Sequence, residues 1–121
     1  MIHDSLVFRF TRPDVLAAPP TCGLLTIPDF LRQVQKWCVD RGPALIVDLS
    51  EVQEADMAVL RALLWARRQC KALGRDLYVV EPPVGVLRPA AEPLLRSLLQ
   101  FYPDVLSAER AIDDEWAPIP A

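Results

Sequence analysis

The chain has 121 residues, of which 52% are hydrophobic, and its formal net charge is −3. This length and apolar content predict one folded domain that forms a core without disulfides or metal, and they exclude a disordered chain. Lysine and arginine dominate no face of the predicted elements, which excludes nucleic-acid binding because that needs a concentrated basic surface. No apolar run approaches the roughly 18 residues of a membrane span and no signal peptide is visible, so we expect no membrane association and a cytoplasmic location.

The N-terminal third predicts two strands and a helix. A β-type run covers Ser5–Phe10, and a second short strand lies near Asp14–Ala17 or after Cys22. Prolines surround this second strand, and because proline cannot donate to a ladder, we expect the strand at a sheet edge. From Thr26 onward apolar residues recur at helical spacing, which predicts an amphipathic helix that stops at Gly42.

The middle of the chain reads as strand, helix, strand. Ala44–Leu49 is an almost continuous apolar run bounded by turn signals, which is typical of a strand covered on both faces in a parallel sheet. A helix from about Asp56 to Leu73 begins with an acidic cap, carries basic residues near its end and is followed by Gly74, as helix dipoles and capping preferences favour. Leu77–Val80 predicts a third clear strand.

The last third predicts a helix that begins near Glu92, a short edge strand at Asp104–Leu106 and a final helix capped by Ser107. Strands that alternate with helices imply parallel pairing with right-handed crossovers. We therefore predict an α/β fold in which a small mixed, largely parallel sheet is flanked by helices. Residues 1–112 form the single domain, and residues 113–121 form an acidic, proline-containing C-terminal tail.

The sequence contains no pattern typical of catalysis or metal binding. Cys22, Cys38 and Cys70 are widely separated, and His3 is the one histidine, so we expect neither a disulfide framework, a zinc site nor a nucleophile–histidine pair. The four glycines form no phosphate-binding loop. We predict that the protein is not an enzyme and that it binds no cofactor and no metal.

Four carboxylates cluster at the end of the central predicted strand: Asp48, Glu51, Glu54 and Asp56. Ligand sites of α/β sheets often lie at this position, so a magnesium or acid–base site is one interpretation. The other interpretation assigns a helix cap to Asp56 and solvated loop charges, near a positive helix end, to the two glutamates. We prefer the second interpretation.

Two apolar stripes lie on the helix that follows Asp56. At about 100° per residue, the stripe assigned to the core contains Val59, Leu63, Ala66, Cys70 and Leu73. A second, displaced stripe contains Met57, Leu60 and Leu64 and runs into Arg67, Arg68 and Lys71. It is either the widened edge of the core or an exposed apolar patch rimmed by arginine, a composition typical of protein interfaces. Trp65 lies off both stripes, and we expect it to pack against a neighbouring helix.

The stretch LIVDLSEVQEADMAVLRALLWARRQCKALGRDLYVV resembles the centre of a STAS domain, the module shared by anti-sigma factor antagonists and sulfate transporters. The matching features are Asp48-Leu49-Ser50, Asp56, Leu60, Arg67-Arg68, Gly74 and the LYVV strand. The good match covers roughly residues 44–81, and a weaker one extends through VLSAERAI at Val105–Ile112, like the closing strand and helix of the family. The resemblance implies a STAS fold and a protein-binding surface.

Two positions depart from the family pattern. Met57 stands where STAS antagonists carry a phosphorylatable serine, and Val59 stands where they carry glycine. In those antagonists a partner kinase phosphorylates the serine, and the added charge breaks the complex. Met57 has no hydroxyl group, so we predict that this switch does not operate here. Ser50 is an alternative phosphorylation target, although a strand-end turn is the preferred interpretation of that serine.

Our leading hypothesis is a bacterial, non-enzymatic interaction module that resembles an anti-sigma factor antagonist and regulates transcription or stress signalling. The predicted partner-binding residues are Glu54, Asp56, Met57, Leu60, Arg61 and Leu64. The expected partner is an anti-sigma-type kinase or another STAS protein, and a homodimer is a further alternative.

The alternative is a small-ligand sensing domain that binds a nucleotide or anion at the same strand–loop–helix junction. A helix N-terminus attracts anions, which favours this reading. The negative loop and the lack of glycine oppose it.

Overall fold

The computed structural model describes residues 7–40, 44–87 and 91–115. Its strands are β1 (Arg9–Arg12), β2 (Val15–Ala17), β3 (Thr21–Cys22), β4 (Ala44–Asp48), β5 (Glu54–Ala55), β6 (Asp76–Val80) and β7 (Gln100–Tyr102). Its α-helices are α1 (Ile27–Asp40), α2 (Met57–Ala72), α3 (Glu92–Leu98) and α4 (Val105–Glu115). A short 3₁₀ turn, Leu24–Thr26, leads directly into α1. No helix in the described ranges is long and apolar enough to span a bilayer.

The main sheet has five strands in the order β1-β2-β4-β6-β7. The β1–β2 pair is antiparallel, and every other pair in this sheet is parallel. A second, two-stranded parallel sheet joins β3 to β5. The prediction of an α/β fold with a small mixed, largely parallel sheet flanked by helices is confirmed.

The central strand β4 is buried on both faces, which explains its continuous apolar sequence. Leu45 and Val47 belong to the larger core, together with buried side chains of α1, α2 and α3. Ala44 and Ile46 belong to a smaller core against α4. Three helices therefore cover one face of the sheet, which we call the three-helix face, and α4 covers the other.

The first two predicted strands needed correction. Pairing begins at Arg9 and runs through Arg12, so the strand is displaced from the predicted Ser5–Phe10, whose first two residues lie outside the described ranges. β2 does form within the predicted Asp14–Ala17, but it lies inside the sheet between β1 and β4. The expectation of an edge position was wrong because the prolines flank β2 and leave its backbone donors available for pairing.

The middle elements match their predictions closely. α1 runs to Asp40, and its predicted stop at Gly42 lies outside the described ranges. α2 begins directly after Asp56, as predicted. At its end Gly74 has a φ of 72°, a left-handed conformation that glycine adopts readily, and the amide of Gly74 donates to the Lys71 carbonyl over 3.0 Å. Leu73, assigned to the core from its spacing, is exposed because the helix has already ended there.

The C-terminal end required a second correction. Val105 and Leu106 are helical, and the short strand precedes them at Gln100–Tyr102 as β7. Asp104 caps α4, since its Oδ1 accepts from the Ser107 amide over 2.7 Å. Ser107 is therefore inside the helix and is not its cap. The helix extends to Glu115, beyond the predicted end of the domain at residue 112, and the rest of the tail lies outside the described residues.

Candidate protein-interaction site

Main-chain hydrogen bonds fix the junction between β4 and α2 to the segment that precedes α1. The amides of Gln53 and Glu54 donate to the Pro20 carbonyl over 2.7 and 3.1 Å, and the Asp56 amide donates to the Cys22 carbonyl over 3.2 Å. These bonds continue the short β3–β5 ladder. Two loops that are distant in sequence therefore form one connected surface at the carboxyl ends of the parallel strands.

Asp56 is the side chain that connects the two helices of this surface. Its Oδ1 accepts from the Ala58 amide over 2.8 Å and caps α2. Its Oδ2 accepts from the Leu24 amide over 3.2 Å and holds the 3₁₀ turn before α1. Because both carboxylate oxygens are bonded to the chain itself, Asp56 acts as a structural link. This agrees with the preferred interpretation of Asp56 as a helix cap.

Gly23 allows this close approach. A Cβ at Gly23 would lie 2.6 Å from Oδ2 of Asp56, a distance that real Cβ contacts do not reach. The backbone of Gly23 is extended, with a φ of −170°, so alanine is compatible with the local conformation but not with the neighbouring carboxylate. Position 23 therefore requires glycine because the Asp56 carboxylate packs against it.

We expect Gly23→Ala to lower the free energy of unfolding by about 1–2 kcal/mol, since displacing the Asp56 carboxylate weakens the α2 cap. Urea denaturation measures the change. The matched control is the same substitution in an Asp56→Ala background, where the obstructing carboxylate is absent and Gly23→Ala should cost markedly less. Equal costs in the two backgrounds would contradict the proposed clash.

Apolar side chains protrude into solvent on both sides of Asp56. Leu25 is 90% exposed, Leu24 is 71% exposed and Met57 is 45% exposed. Together with the exposed Arg61 on the next turn of α2, we call these residues the junction surface. Clustered exposed apolar groups next to a polar rim mark an interaction site more often than a catalytic one.

A groove runs from this surface between α1 and α2 on the three-helix face. It is open to solvent, has a volume of about 530 Å³ and is mostly apolar. The residues that line it are Leu24, Ile27, Leu31, Met57, Ala58, Arg61, Ala62 and Trp65. We call it the α1–α2 groove. Trp65 is half-buried here and packs against the core beside α1, as predicted for this side chain.

The second predicted stripe of α2 divides between core and surface. Leu60 is 8% exposed and belongs to the core, and Leu64 is half-buried against it. For these two leucines the stripe is the widened edge of the core, so Leu60 presents almost no surface to a partner. Met57, Arg61 and Glu54 are exposed, as a binding role requires.

The carboxylates of the junction do not converge on a common point that could bind a cation. Asp48 accepts from the Ser50 amide over 2.9 Å, which makes a strand-end turn of that segment. Glu51 and Glu54 are exposed loop and strand charges. Among the residues that the structure describes, no group of three or more histidine, cysteine, aspartate or glutamate side chains is placed to hold a metal ion.

The cysteine thiols lie in environments that suppress their reactivity. Burial raises the pKa of Cys22 to about 11, the Thr26 hydrogen bond opposes this rise, and the nearby Asp56 charge adds to it. Burial also raises the pKa of Cys70 to about 12 and that of Cys38 above its usual value. A thiol with a raised pKa stays protonated at neutral pH and is a poor nucleophile. These groups act as small apolar side chains of the core.

Leu24 and Leu25 are the part of this site that the sequence analysis missed. They stand between Gly23 and the first residues of α1, in a segment broken by prolines and read mainly for its turns. Two adjacent leucines cannot both face the core from so short a turn, and that spacing was the available signal.

Comparison with known proteins supports the fold rather than a particular partner. A family model described as "Mlab, STAS domain" matches residues 15–102, which is more than two thirds of the chain. The match begins at β2 and ends with β7, so it includes both the junction surface and the α1–α2 groove. No curated protein matches the chain.

Proposed function

Because the chain belongs to the STAS domain family, whose members are in general not enzymes, we propose that it is a protein-interaction module that binds its partner through the junction surface. The observation that carries the proposal is the exposure of Leu24, Leu25 and Met57 side by side. A lone exposed leucine needs no explanation, but three apolar side chains on one rigid junction do.

The proposed role is that of an anti-sigma factor antagonist-like regulator of transcription or stress signalling in the bacterial cytoplasm. The proposed partner is an anti-sigma-type kinase or another STAS protein. In the second form of this proposal, the partner is another copy of the same chain, which gives a homodimer. The basic and apolar character of Arg61 and Met57 suits a protein surface, since arginine and methionine are enriched in interfaces.

A small-ligand sensor at the same junction is the weaker candidate. The anion position at the α2 N-terminus is filled by the chain's own carboxylate, because Asp56 already accepts from the Ala58 amide. An incoming phosphate would have to displace this bond and approach the exposed Glu54 and Asp56 charges. The geometry therefore favours a protein partner.

Position 57 is proposed to lack the phosphorylation switch, because methionine has no hydroxyl group to accept phosphate. After incubation with candidate anti-sigma-type kinases, we expect phosphate-affinity gels to show no shifted band. Mass spectrometry of the peptide that spans the junction is the second readout. A phosphate found on Ser50, which is exposed, would overturn the loss of switching at this junction.

The proposed function is tested by affinity capture from extract of the native organism with Met57→Asp as the query variant. We expect the partner retained by the wild-type chain to be reduced roughly tenfold, since the substitution places a charge in an apolar contact. Val84→Asp is the control, because Val84 is also exposed but lies in the turn after β6. Equal capture by both variants, with folding verified by circular dichroism, would reject the junction surface as the binding site.

A further inference from the structure

The α1–α2 groove lies between two helices that run in the same direction, so a third helix could lie along it. α1 and α2 each connect neighbouring parallel strands, so both run back across the sheet and begin at the same edge. Side chains four residues apart line the groove on both helices: Ile27 and Leu31 on one wall, and Ala58 and Ala62 on the other. Such a channel accommodates an amphipathic helix, whereas an added strand would need a free sheet edge.

One arginine of α2 lines the groove, and a second lies in line with it further along the same helix face. Arg61 lines it directly, and Arg68 lies seven residues further along α2, which places it on the same face about 10 Å beyond Arg61. Trp65 lies between them. Neither arginine makes a hydrogen bond or ion pair with any residue in the described ranges, and both are exposed.

Three other arginines form ion pairs within the fold. Arg12 pairs with Glu109, Arg32 of α1 donates to Asp29 over 2.6 Å, and Arg96 pairs with both Glu81 and Glu92. The lining of the groove itself contains no carboxylate. The groove therefore combines an apolar lining with the positive charge of Arg61, and the positive charge of Arg68 lies about two helical turns beyond it on the same face of α2.

Building on the proposed function, we propose that the partner inserts an acidic amphipathic helix into the α1–α2 groove. Two carboxylates seven residues apart on that helix pair with Arg61 and Arg68. Apolar residues three and four positions after the first carboxylate pack against Leu31 and Trp65. The charges set orientation and register, and the apolar contacts supply most of the affinity.

The described helices of a second copy of this chain do not supply such a pair of carboxylates. None of its four described helices carries two acidic residues seven positions apart: Glu109 and Asp113 of α4 are four apart, and seven residues after Asp29 stands Lys36. The net charge of −3 also gives two copies a mutual repulsion. The occupant is therefore a different protein.

The test begins with an unbiased selection. A displayed library of randomised helical peptides is selected on the wild-type chain and counter-selected on Arg61→Glu/Arg68→Glu. We expect enrichment of sequences with acidic residues seven apart and leucine-like residues between them. The proposal is overturned if basic or uncharged helices are enriched, or if no sequence is enriched. It is also overturned if the enriched sequences bind Arg61→Glu/Arg68→Glu as well as they bind the wild type.

Charge exchange then tests the pairing itself. A synthetic peptide of three EAALLAQ repeats is compared with its KAALLAQ counterpart by fluorescence anisotropy. Wild type should prefer the acidic peptide, and reversal of both arginines should weaken its binding roughly tenfold. The reversed protein should in turn prefer the basic peptide. The comparison is repeated at high salt, where nonspecific charge attraction would not produce this reversed preference. Equal affinity of both proteins for both peptides contradicts the assigned pairs.

The two levels of proposal fail differently. If Met57→Asp abolishes partner capture while Arg61→Glu/Arg68→Glu leaves it unchanged, the protein-interaction function stands and the acidic helix is overturned. If neither variant alters capture, the partner binds elsewhere, and both the junction surface and the α1–α2 groove are rejected as its binding site. A concentration-dependent dimer that Arg61→Glu dissociates, measured by light scattering, would assign the groove to a second copy and also overturn the inference.

Discussion

Replacing Leu25 with aspartate is expected to weaken binding of the native partner by at least about thirtyfold, the loss that defines an interface hot spot. Leu25 is 90% exposed, so it contributes almost nothing to the core and its side chain is fully available to a partner. On binding, an aspartate at this position would be stripped of water without a matching partner group. Titration calorimetry with the captured partner measures the effect.

Folding should be unaffected by Leu25→Asp, because the same exposure that makes the residue available also removes it from the core. We expect its urea midpoint to match that of wild type. Val84→Asp is again the control, since it makes the same chemical change at another exposed aliphatic position. If Leu25→Asp binds the partner with wild-type affinity, Leu25 does not belong to the interface.

Leu60→Ala is expected to have the largest effect on stability, a loss of about 2–4 kcal/mol in the free energy of unfolding. Leu60 packs in the larger core, where truncation leaves a cavity among Ala91, Leu95 and Val59 near the start of α2. This loss is a large fraction of the total stability of a domain, typically 5–15 kcal/mol. Chemical denaturation monitored by circular dichroism gives the value.

Met57→Ala provides the matched comparison one turn earlier on the same helix. Its side chain is half exposed, so truncation should change stability by less than about 1 kcal/mol. Sequence periodicity placed both residues on one stripe, and this pair of measurements separates them. A loss from Leu60→Ala no greater than that from Met57→Ala would contradict the assignment of Leu60 to the core.

The sequence predicted best those elements whose burial is uniform. β4 and β6 are covered on both faces, and their continuous apolar runs leave no other interpretation. α2 carries its start and stop signals at Asp56 and Gly74, and both are used in the structure. Together these elements carry the STAS resemblance, which the family match confirms.

Predictions failed in two short segments near the C-terminus, one that depends on tertiary pairing and one that depends on a helix cap. β7 has three residues and gains its strand character from pairing with β6, so Gln100–Tyr102 gave little local signal. The run from Val105 looked like a strand because it is apolar at its start, but the Asp104 cap initiates a helix there. The pairing of β7 involves a strand that is distant in sequence, whereas the Asp104 cap is a local contact that the sequence analysis had assigned to Ser107.

The candidate site was predictable in position but not in composition. Asp56 and Met57 identify the junction, and the spacing of Arg61 follows from helical periodicity. The contribution of Leu24 and Leu25 depends on the contact between Asp56 and the Leu24 amide, which joins residues 32 positions apart. Periodicity within one element carries no information about such a contact.

The short β3–β5 ladder has a thermodynamic consequence for recognition. Because the carbonyls of Pro20 and Cys22 accept bonds from the far side of the junction, the backbone beneath the exposed side chains is already ordered in the free protein. A partner therefore restricts side-chain rotamers on binding but does not have to fold a loop, which spares about 1–2 kcal/mol for each backbone residue that is already fixed. A small contact area can in this way support a specific complex.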